Sequence, residues 1–580
     1  MGRLSSPIAD IEGHYDVVIV GSGYGGAIAA LRLARARRED GHPLKVCIFE
    51  RGRELQPGDY PDTPAQVFAE TQVDTPTGHV RSPTGLYDFR VNDDVNVLVG
   101  CGLGGTSLIN ANVALRPLRR VFQEPAWPAE LRSNPAALDK WFDLAADMLQ
   151  LETYPRPPAY PPLRKTETLE RSARHLRRRY GYGNFRLPCI TVGFSDRVRR
   201  FPGPAGEVEV EQHACQLCGD CVSGCNYGAK NTLLTSYLPD ARANGAEIYT
   251  EVSVRRIQAL KNERADGSRW LVHFELPDTG RERFQPLEMT VGARVVVLAA
   301  GTLGSTEILL RSRESRPPEV QLTLSDQLGK GFTANGDVLA LAYSTDEPVN
   351  GVGSGRRRPN PGEPVGPCIT GMIDMRGRPN LERDMIIQEG SIPGALASLM
   401  PGVLGGAMLM FGGDTRARVR ESLREEVRRL LKYLRNPYHG AVRNTQVFLV
   451  MGHDDAGGRM ELQRDRLRIS WPGLERQWIF VEAERRLREA TRELGGTYLQ
   501  NPVNPITVHP LGGCRMAEAA EDGVVDHKGR VFSGRRGDAV HKGLYVCDGS
   551  IIPRSLGVNP LLTISALAER MCALMAPYNW

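Results

Sequence analysis

The stretch YDVVIVGSGYGGAIAALRLA, residues 15–34, decides how the chain begins to fold. Its first six residues are a short, apolar, β-branched run and read as a buried strand. GSGYGG follows, and then an apolar run of helical spacing, the context that a dinucleotide fingerprint needs. Gly21, Gly23 and Gly26 form G-x-G-x-x-G. The first permits a tight turn, the second lets backbone approach a pyrophosphate, and the third lets helix and strand pack closely. The phosphates would then meet a helix N-terminus and its dipole. KVCIFERG (45–52) reads as the next strand and ends in Glu50. A carboxylate there can accept hydrogen bonds from ribose hydroxyls and would repel a 2′-phosphate. Glu50 lies about 30 residues beyond Gly21, more than the usual spacing of about 20, because the helix is long and REDGHPL intervenes.

Outward from this start, NVLVGCGLGGTSLINANV (96–113) is a second glycine-rich run and reads as a loop. YPRPPAYPPLRK (154–165) reads as a linker or an extended wrap between lobes. Residues 233–257 read as helix, glycine turn and strand, and 294–312 as strand, glycine turn and helix. Residues 338–344 and 445–471 alternate like antiparallel strands. RARVRESLREEVRRLLKYLR (416–435) has the pattern of an amphipathic helix packed on a core. The last long helix is expected after the Asn-Pro of 559–560. Parallel α/β material is thus scattered over the start, middle and end, with antiparallel material between. The chain is expected to be α/β, a Rossmann-like, doubly wound lobe interleaved with an α+β lobe on an antiparallel sheet. The first would comprise 1–116, 211–337 and 501–580, and the second 117–210 and 338–500, with a Cys-rich insert at 211–230.

Composition excludes some classes of function. The net charge is +5 on 580 residues, and no long basic run interleaves with aromatics, so nucleic acid is not an expected partner. The chain carries no N-terminal secretory pattern, and its cysteine number is odd, at eleven. Both favour a reducing, cytoplasmic compartment over a disulfide framework. IPGALASLMPGVLGGAMLMFGG (392–413) is uncharged and apolar but broken by proline and glycine. It reads as a lid or the wall of a substrate channel, with contact at a membrane periphery as the other reading.

CQLCGDCVSGC (215–225) is the least expected feature. Cys215, Cys218, Cys221 and Cys225 match C-x2-C-x2-C-x3-C, the ferredoxin spacing of a [4Fe-4S] ligand set. In two-cluster ferredoxins the fourth Cys serves a second cluster, and here no second set exists, so Cys225 would have to fold back or a distant cysteine would complete the site. A zinc site and bare thiols are the competing readings.

Five ordered segments carry a resemblance to a known family: GYGGAIAALRLA, GLGGTSLIN, AAGTLGSTEILL, HPLGGC and GLYVCDGSIIPRSLGVNPLLTISALAER. Together they resemble the glucose–methanol–choline (GMC) flavoprotein oxidoreductases, nearest their cholesterol oxidase branch. The resemblance implies FAD in an extended pose, with Gly21, Gly23 and Gly26 at the pyrophosphate, joined by Tyr24 and Gly25. It places Glu50 at the adenosine ribose and Val254 at the adenine. Gly105, Thr106, Asn110 and Val113 would line the flavin side. Asp548 and Gly549 would lie near the ribityl and phosphate, with Gly301 close by, and Asn559, Pro560 and Leu561 at the isoalloxazine. It also implies catalysis by His509 and Asn559. The imidazole would manage the alcohol proton, and the amide would hold the same oxygen.

The expected reaction is oxidation of a bulky, apolar, sterol-like alcohol by hydride transfer to flavin N5. The electrons would pass through an iron–sulfur cluster to a one-electron carrier protein. An oxygen-using enzyme with non-functional cysteines is the alternative. The resemblance also implies a glutamate as base for sterol double-bond isomerisation, for which IIQEGSIPGALASLM offers Glu389, though the local pattern does not match cleanly. A flavin disulfide reductase would want a redox cysteine pair on the first helix, and AIAALRLARARR has none.

Overall fold

The structure is a computed structural model that describes residues 2–38, 40–277, 288–404, 437–500 and 504–575. The opening strand is His14–Val20, and the helix after it is Tyr24–Ala34. The strand is buried from Tyr15 onward and pairs in parallel with Val46–Phe49 on one side and Met289–Leu298 on the other. Glu247–Tyr249 extends the parallel set beyond Val46–Phe49. Met289–Leu298 is long enough for two neighbours on its far side. Its first half pairs antiparallel with Trp270–Glu275, which carries Ser253–Ala259, and its end pairs in parallel with Val540–Val546. This eight-stranded sheet gathers strands from the start, middle and end of the chain. Strands buried on both faces need continuous apolar runs, and VVIV, VCIF and VVVL supply them.

Helix Tyr24–Ala34 is almost wholly buried, which its glycines and alanines permit by letting it approach the sheet closely. Beside it lie Tyr237–Ala243 and Leu561–Met575. Arg32 forms a bidentate pair with the buried Glu569, at 2.6 and 2.8 Å, and the Tyr237 hydroxyl donates to the same carboxylate at 2.8 Å. One carboxylate therefore ties three helices separated widely in sequence.

The second lobe is a six-stranded antiparallel sheet in the order Thr497–Gln500, Val338–Tyr343, Gln446–Gly452, Met385–Gly390, Met372–Asp374 and Asn184–Arg186. The run at 96–113 is not all loop, since Asn96–Gly100 is a strand of a third sheet. Ile506–Thr507 pairs with it in parallel and thereby brings the C-terminal part of the chain beside the second glycine loop. Between Tyr154 and Leu163 there is no helix or strand, and the segment runs extended and turned as far as helix Arg164–Tyr180. No helix among the described residues is long and apolar enough to cross a membrane. The segment 416–435 and the part of 392–413 from 405 onward lie outside the described residues.

Candidate active site

A cavity of about 1170 Å³ runs between the large sheet and the antiparallel sheet. Pockets for one small molecule span about 300–1,000 Å³, so this one has room for a cofactor and a substrate together. At one end it is built by backbone. Gly21 has φ +93°, and a Cβ there would sit 2.4 Å from the Ala299 carbonyl oxygen. A Cβ on Gly26 would sit 2.0 Å from the Gly21 carbonyl oxygen, and one on Gly25 1.5 Å from that of Cys547. Gly23 differs, because a Cβ there meets nothing within 4 Å while the residue borders the cavity. The space over Gly23 is a cradle left open on the cavity side. Gly26 does not border the cavity and serves only helix–strand packing.

Glu50 stands at the end of Val46–Phe49, buried and facing the same cavity. Its carboxylate accepts hydrogen bonds from the Ser22 amide (3.0 Å), the Ser22 hydroxyl (2.6 Å) and the Gly52 amide (2.8 Å). Burial raises its pKa, and these donors partly offset the rise. Glu50 thus holds the glycine turn in shape as well as facing the space where a ribose would lie.

Val254 borders the cavity beside a register shift in its strand. Tyr24, Gly105, Thr106, Asn110, Val113 and Gly301 border it as well. The Asn110 amide donates to the Tyr24 hydroxyl at 2.7 Å, which locks the second glycine loop to the first helix. Asp548 and Gly549 are also at the wall, but the Asp548 carboxylate is engaged by the Gly301 amide (2.9 Å), the Ser305 hydroxyl (2.5 Å) and the Ser550 amide (2.8 Å). It shapes the loop and leaves little accepting capacity for a ligand.

Asn112 escaped the sequence reading. It is fully buried, has φ +74° and borders the cavity with neither amide atom hydrogen-bonded. A buried amide is rarely left unpaired, so its environment suits a polar ligand group. The open cradle at Gly23, Glu50 at its strand end and the orphaned Asn112 together fit an extended dinucleotide cofactor such as FAD.

At the other end the cavity is built by side chains. The described part of the wall there includes Leu339, Val447 and Leu449 from the antiparallel sheet, and Ile369, Leu396 and Val508. His509 and Asn559 meet where the polar and apolar stretches join. His509 Nε2 and Asn559 Nδ2 are 3.4 Å apart, and both residues border the cavity, as do Pro560 and Leu561 at the start of the last helix. Each of the pair is held by a residue that the sequence reading missed.

Asp337 Oδ1 lies 2.9 Å from His509 Nδ1. Its Oδ2 accepts from the Thr507 hydroxyl (2.9 Å) and from the amides of Val508 (2.9 Å) and His509 (3.1 Å). The Asp337 side chain is fully enclosed, whereas the imidazole keeps 13% of its surface open. A proton on Nδ1 donates to this carboxylate, so Nε2 carries the free lone pair. Gln388 Nε2 donates to Asn559 Oδ1 at 2.8 Å, which leaves the Asn559 NH2 as a donor at the histidine. Asn335, two residues before Asp337, clamps the chain ahead of Asn559. Its Oδ1 accepts from the Leu556 and Gly557 amides, and its Nδ2 donates to the Val558 carbonyl. The turn TANGD (333–337) therefore steadies both halves of the pair. A buried acid inside a polar turn between two strands was the available signal.

Glu389 is in no position to act as a base. It borders the cavity, but its carboxylate is fully buried and pairs with Lys165 Nζ at 2.9 Å. It also accepts from the Thr370 amide and hydroxyl, the Gly371 amide and the Thr166 hydroxyl. Its neighbour Gln388 is the residue that hydrogen-bonds Asn559.

Cys215, Cys218, Cys221 and Cys225 lie outside the large cavity. All four border a small cavity of their own, of about 20 Å³. Among the described residues, no group of three or more His, Cys, Asp or Glu side chains is arranged to hold one metal ion. All eleven cysteines are free.

Residues 15–329 and 422–568 each match a family model described as GMC oxidoreductase. The chain is 28% identical over 584 residues to a cholesterol oxidase from Acinetobacter baumannii, covering 96% of this chain and 93% of that protein. A cholesterol oxidase from Mycobacterium tuberculosis is also 28% identical, with 97% and 91% covered. A long-chain-alcohol oxidase from Arabidopsis thaliana is 25% identical over 575 residues, with 95% and 66% covered. The crystal structure of pyridoxine 4-oxidase from Mesorbium loti has a TM-score of 0.57 to this fold at 18% identity, covering 98% of this chain and 100% of that one. The chain belongs to the GMC oxidoreductase family, whose members oxidise CH–OH donors with FAD.

Proposed function

We propose that this enzyme oxidises a bulky, apolar alcohol, of the size of a sterol or a long-chain alcohol, and that His509 takes the hydroxyl proton. One observation carries the reading: the His509–Asn559 pair sits where a backbone-built, polar cavity end meets an apolar one. The names of the cholesterol and long-chain-alcohol oxidases support the same substrate class. Bound FAD supplies the hydride acceptor. The chain does the rest. Apolar walls seat the hydrocarbon and exclude water, and the Asn559 NH2 donates to the alcohol oxygen. His509 Nε2 accepts the hydroxyl proton, while the Asp337 carboxylate stabilises the imidazolium that results. Glu389, saturated by five donor groups including Lys165, takes no part in the proton transfer.

For the electrons we propose exit by way of the thiol cavity to a one-electron carrier protein. The second reading, direct reoxidation by oxygen, is favoured by the word oxidase in the relatives' names. Anaerobic stopped-flow reduction of the FAD-loaded enzyme, with cholesterol, hexadecanol and ethanol as donors, tests the substrate class. Fast reduction by a bulky alcohol and slow reduction by ethanol is the expected result. The reverse order would refute it. Oxygen uptake measured against ferricenium reduction then separates the two electron acceptors.

A further inference from the structure

The alcohol-oxidising site leaves the four-cysteine loop unexplained. Leu217 (φ +55°), Gly219 (φ +81°) and Gly224 (φ +108°) take left-handed backbone within it. These turns fold eleven residues so that Cys215, Cys218, Cys221 and Cys225 border a single small cavity. Large neighbours fix the turns: a Cβ on Gly224 would meet the Tyr60 ring at 2.1 Å, and one on Gly219 the Val365 side chain at 2.4 Å. The loop is also fastened from outside. The Ser354 amide donates to the Cys218 carbonyl, and the Val365 and Gly366 amides donate to that of Leu217.

The small cavity backs directly onto the large one. Cys221 and Gly224 border the small cavity, while Val222 and Ser223, the residues between them, border the large one. One strip of backbone is the partition. Cys221 and Val113 belong to one apolar cluster, with Val222 and Cys215 packed against it, so the partition is dry. Lys230 crosses the same boundary. It borders the small cavity, and its buried Nζ donates to the carbonyls of Leu108 (3.0 Å), Asn110 (2.7 Å) and Cys221 (3.2 Å). The first two belong to the loop that lines the FAD cavity.

We propose that Cys215, Cys218, Cys221 and Cys225 ligate an iron–sulfur cluster built against the wall of the FAD cavity. The spacing C-x2-C-x2-C lets three thiolates reach one cluster from one loop, and Cys225 on the same cavity completes a set of four. Zinc fits less well, because structural zinc sites usually separate their cysteine pairs by a longer stretch than this loop provides.

Hydrogen-bond donors stand beside the loop: Lys230 Nζ donates to the Cys221 carbonyl at 3.2 Å. The Cys368 amide, 3.4 Å from Cys221 Sγ, supplies a backbone N–H to one ligand sulfur.

The relay role rests on the proposed exit of electrons through this cavity, but the ligation does not. Two external one-electron acceptors would be reduced per alcohol, each through one reduction and reoxidation of the cluster, with the protons released to solvent. The test uses the full chain, purified anaerobically with FAD bound. About four iron and four sulfide per chain are expected, with a paramagnetic signal after dithionite reduction. Cys218→Ser should lose the iron, sulfide and signal yet keep FAD and its reduction by the alcohol. Cys189→Ser, at an exposed thiol, should keep everything. If Cys218→Ser does not fold, Cys225→Ser and the wild-type stoichiometry decide. Iron-free protein that stays so after treatment with ferrous iron and sulfide would overturn the proposal, as would one zinc per chain. Intact cluster with no cysteine-dependent reduction of ferricenium would overturn the relay alone.

Discussion

The two ends of the large cavity are made of different material. At the nucleotide end the backbone forms the surface, and its turn is shaped by a local glycine pattern even where it packs against distant backbone such as Ala299 and Cys547. Gly21 through Gly26 shape one turn, and Glu50 bonds Ser22 and Gly52. At the catalytic end, side chains are held by other side chains far along the chain. His509 and Asp337 are 172 positions apart, Asn559 and Gln388 are 171, and Glu389 and Lys165 are 224. The nucleotide end should therefore fail as a binding site when it is altered, and the catalytic end as a catalyst or a packed core.

The largest effect should come from His509→Ala. Loss of a positioned proton acceptor should slow flavin reduction by about 10²–10⁴-fold, with FAD content unchanged. Single-turnover reduction under anaerobic conditions measures this, and a normal rate would remove His509 from the chemistry. Glu389→Gln should act on the same lobe in a different currency. Removing one member of a fully buried ion pair leaves Lys165 uncompensated and should cost about 3–5 kcal/mol of stability in urea unfolding. The variant that remains folded should reduce its flavin normally. A large loss of rate at normal stability would restore Glu389 as a catalytic base.

Asp337→Asn sharpens the contrast further. The carboxylate does not border the cavity, so its effect must pass through the imidazole that it orients. Loss of such an outer partner typically costs about 10–100-fold. FAD occupancy should hold, while the pH profile of flavin reduction is displaced. An unchanged rate and profile would show that the surrounding backbone alone fixes the ring.

The same division explains what could be read from the sequence. The strand–glycine–helix start, Glu50, the second glycine loop and the interleaving of parallel and antiparallel segments were legible because each is a local pattern. His509 and Asn559 were legible only through the family resemblance. Asp337 and Gln388 were not, since nothing in TANGD or MIIQEG names a partner about 170 residues away. Glu389 is the conspicuous acid in the sequence, yet its carboxylate is taken up by Lys165 while its neighbour Gln388 holds Asn559. The strand at Asn96–Gly100 reads as loop from sequence because it is short and runs straight into the glycines at 102, 104 and 105.

The smallest predicted effect separates two glycines of one motif. Gly26→Ala places a methyl 2.0 Å from the Gly21 carbonyl, where backbone must move, and overpacking of that kind costs about 1–3 kcal/mol. The loss should appear in FAD-free protein. Gly23 has φ −64° and ψ −171°, a conformation open to alanine, and a methyl there touches no protein atom. FAD-free Gly23→Ala should therefore match the wild type, or exceed it by about 0.4–1 kcal/mol through a less flexible unfolded chain. What the methyl occupies is the space that the cofactor needs. FAD should bind more weakly to this variant although the fold is no worse. Thermal unfolding of both variants, with and without added FAD, makes the comparison. Equal destabilisation of the two FAD-free variants would mean that the cradle over Gly23 is ordinary packing, not a binding surface.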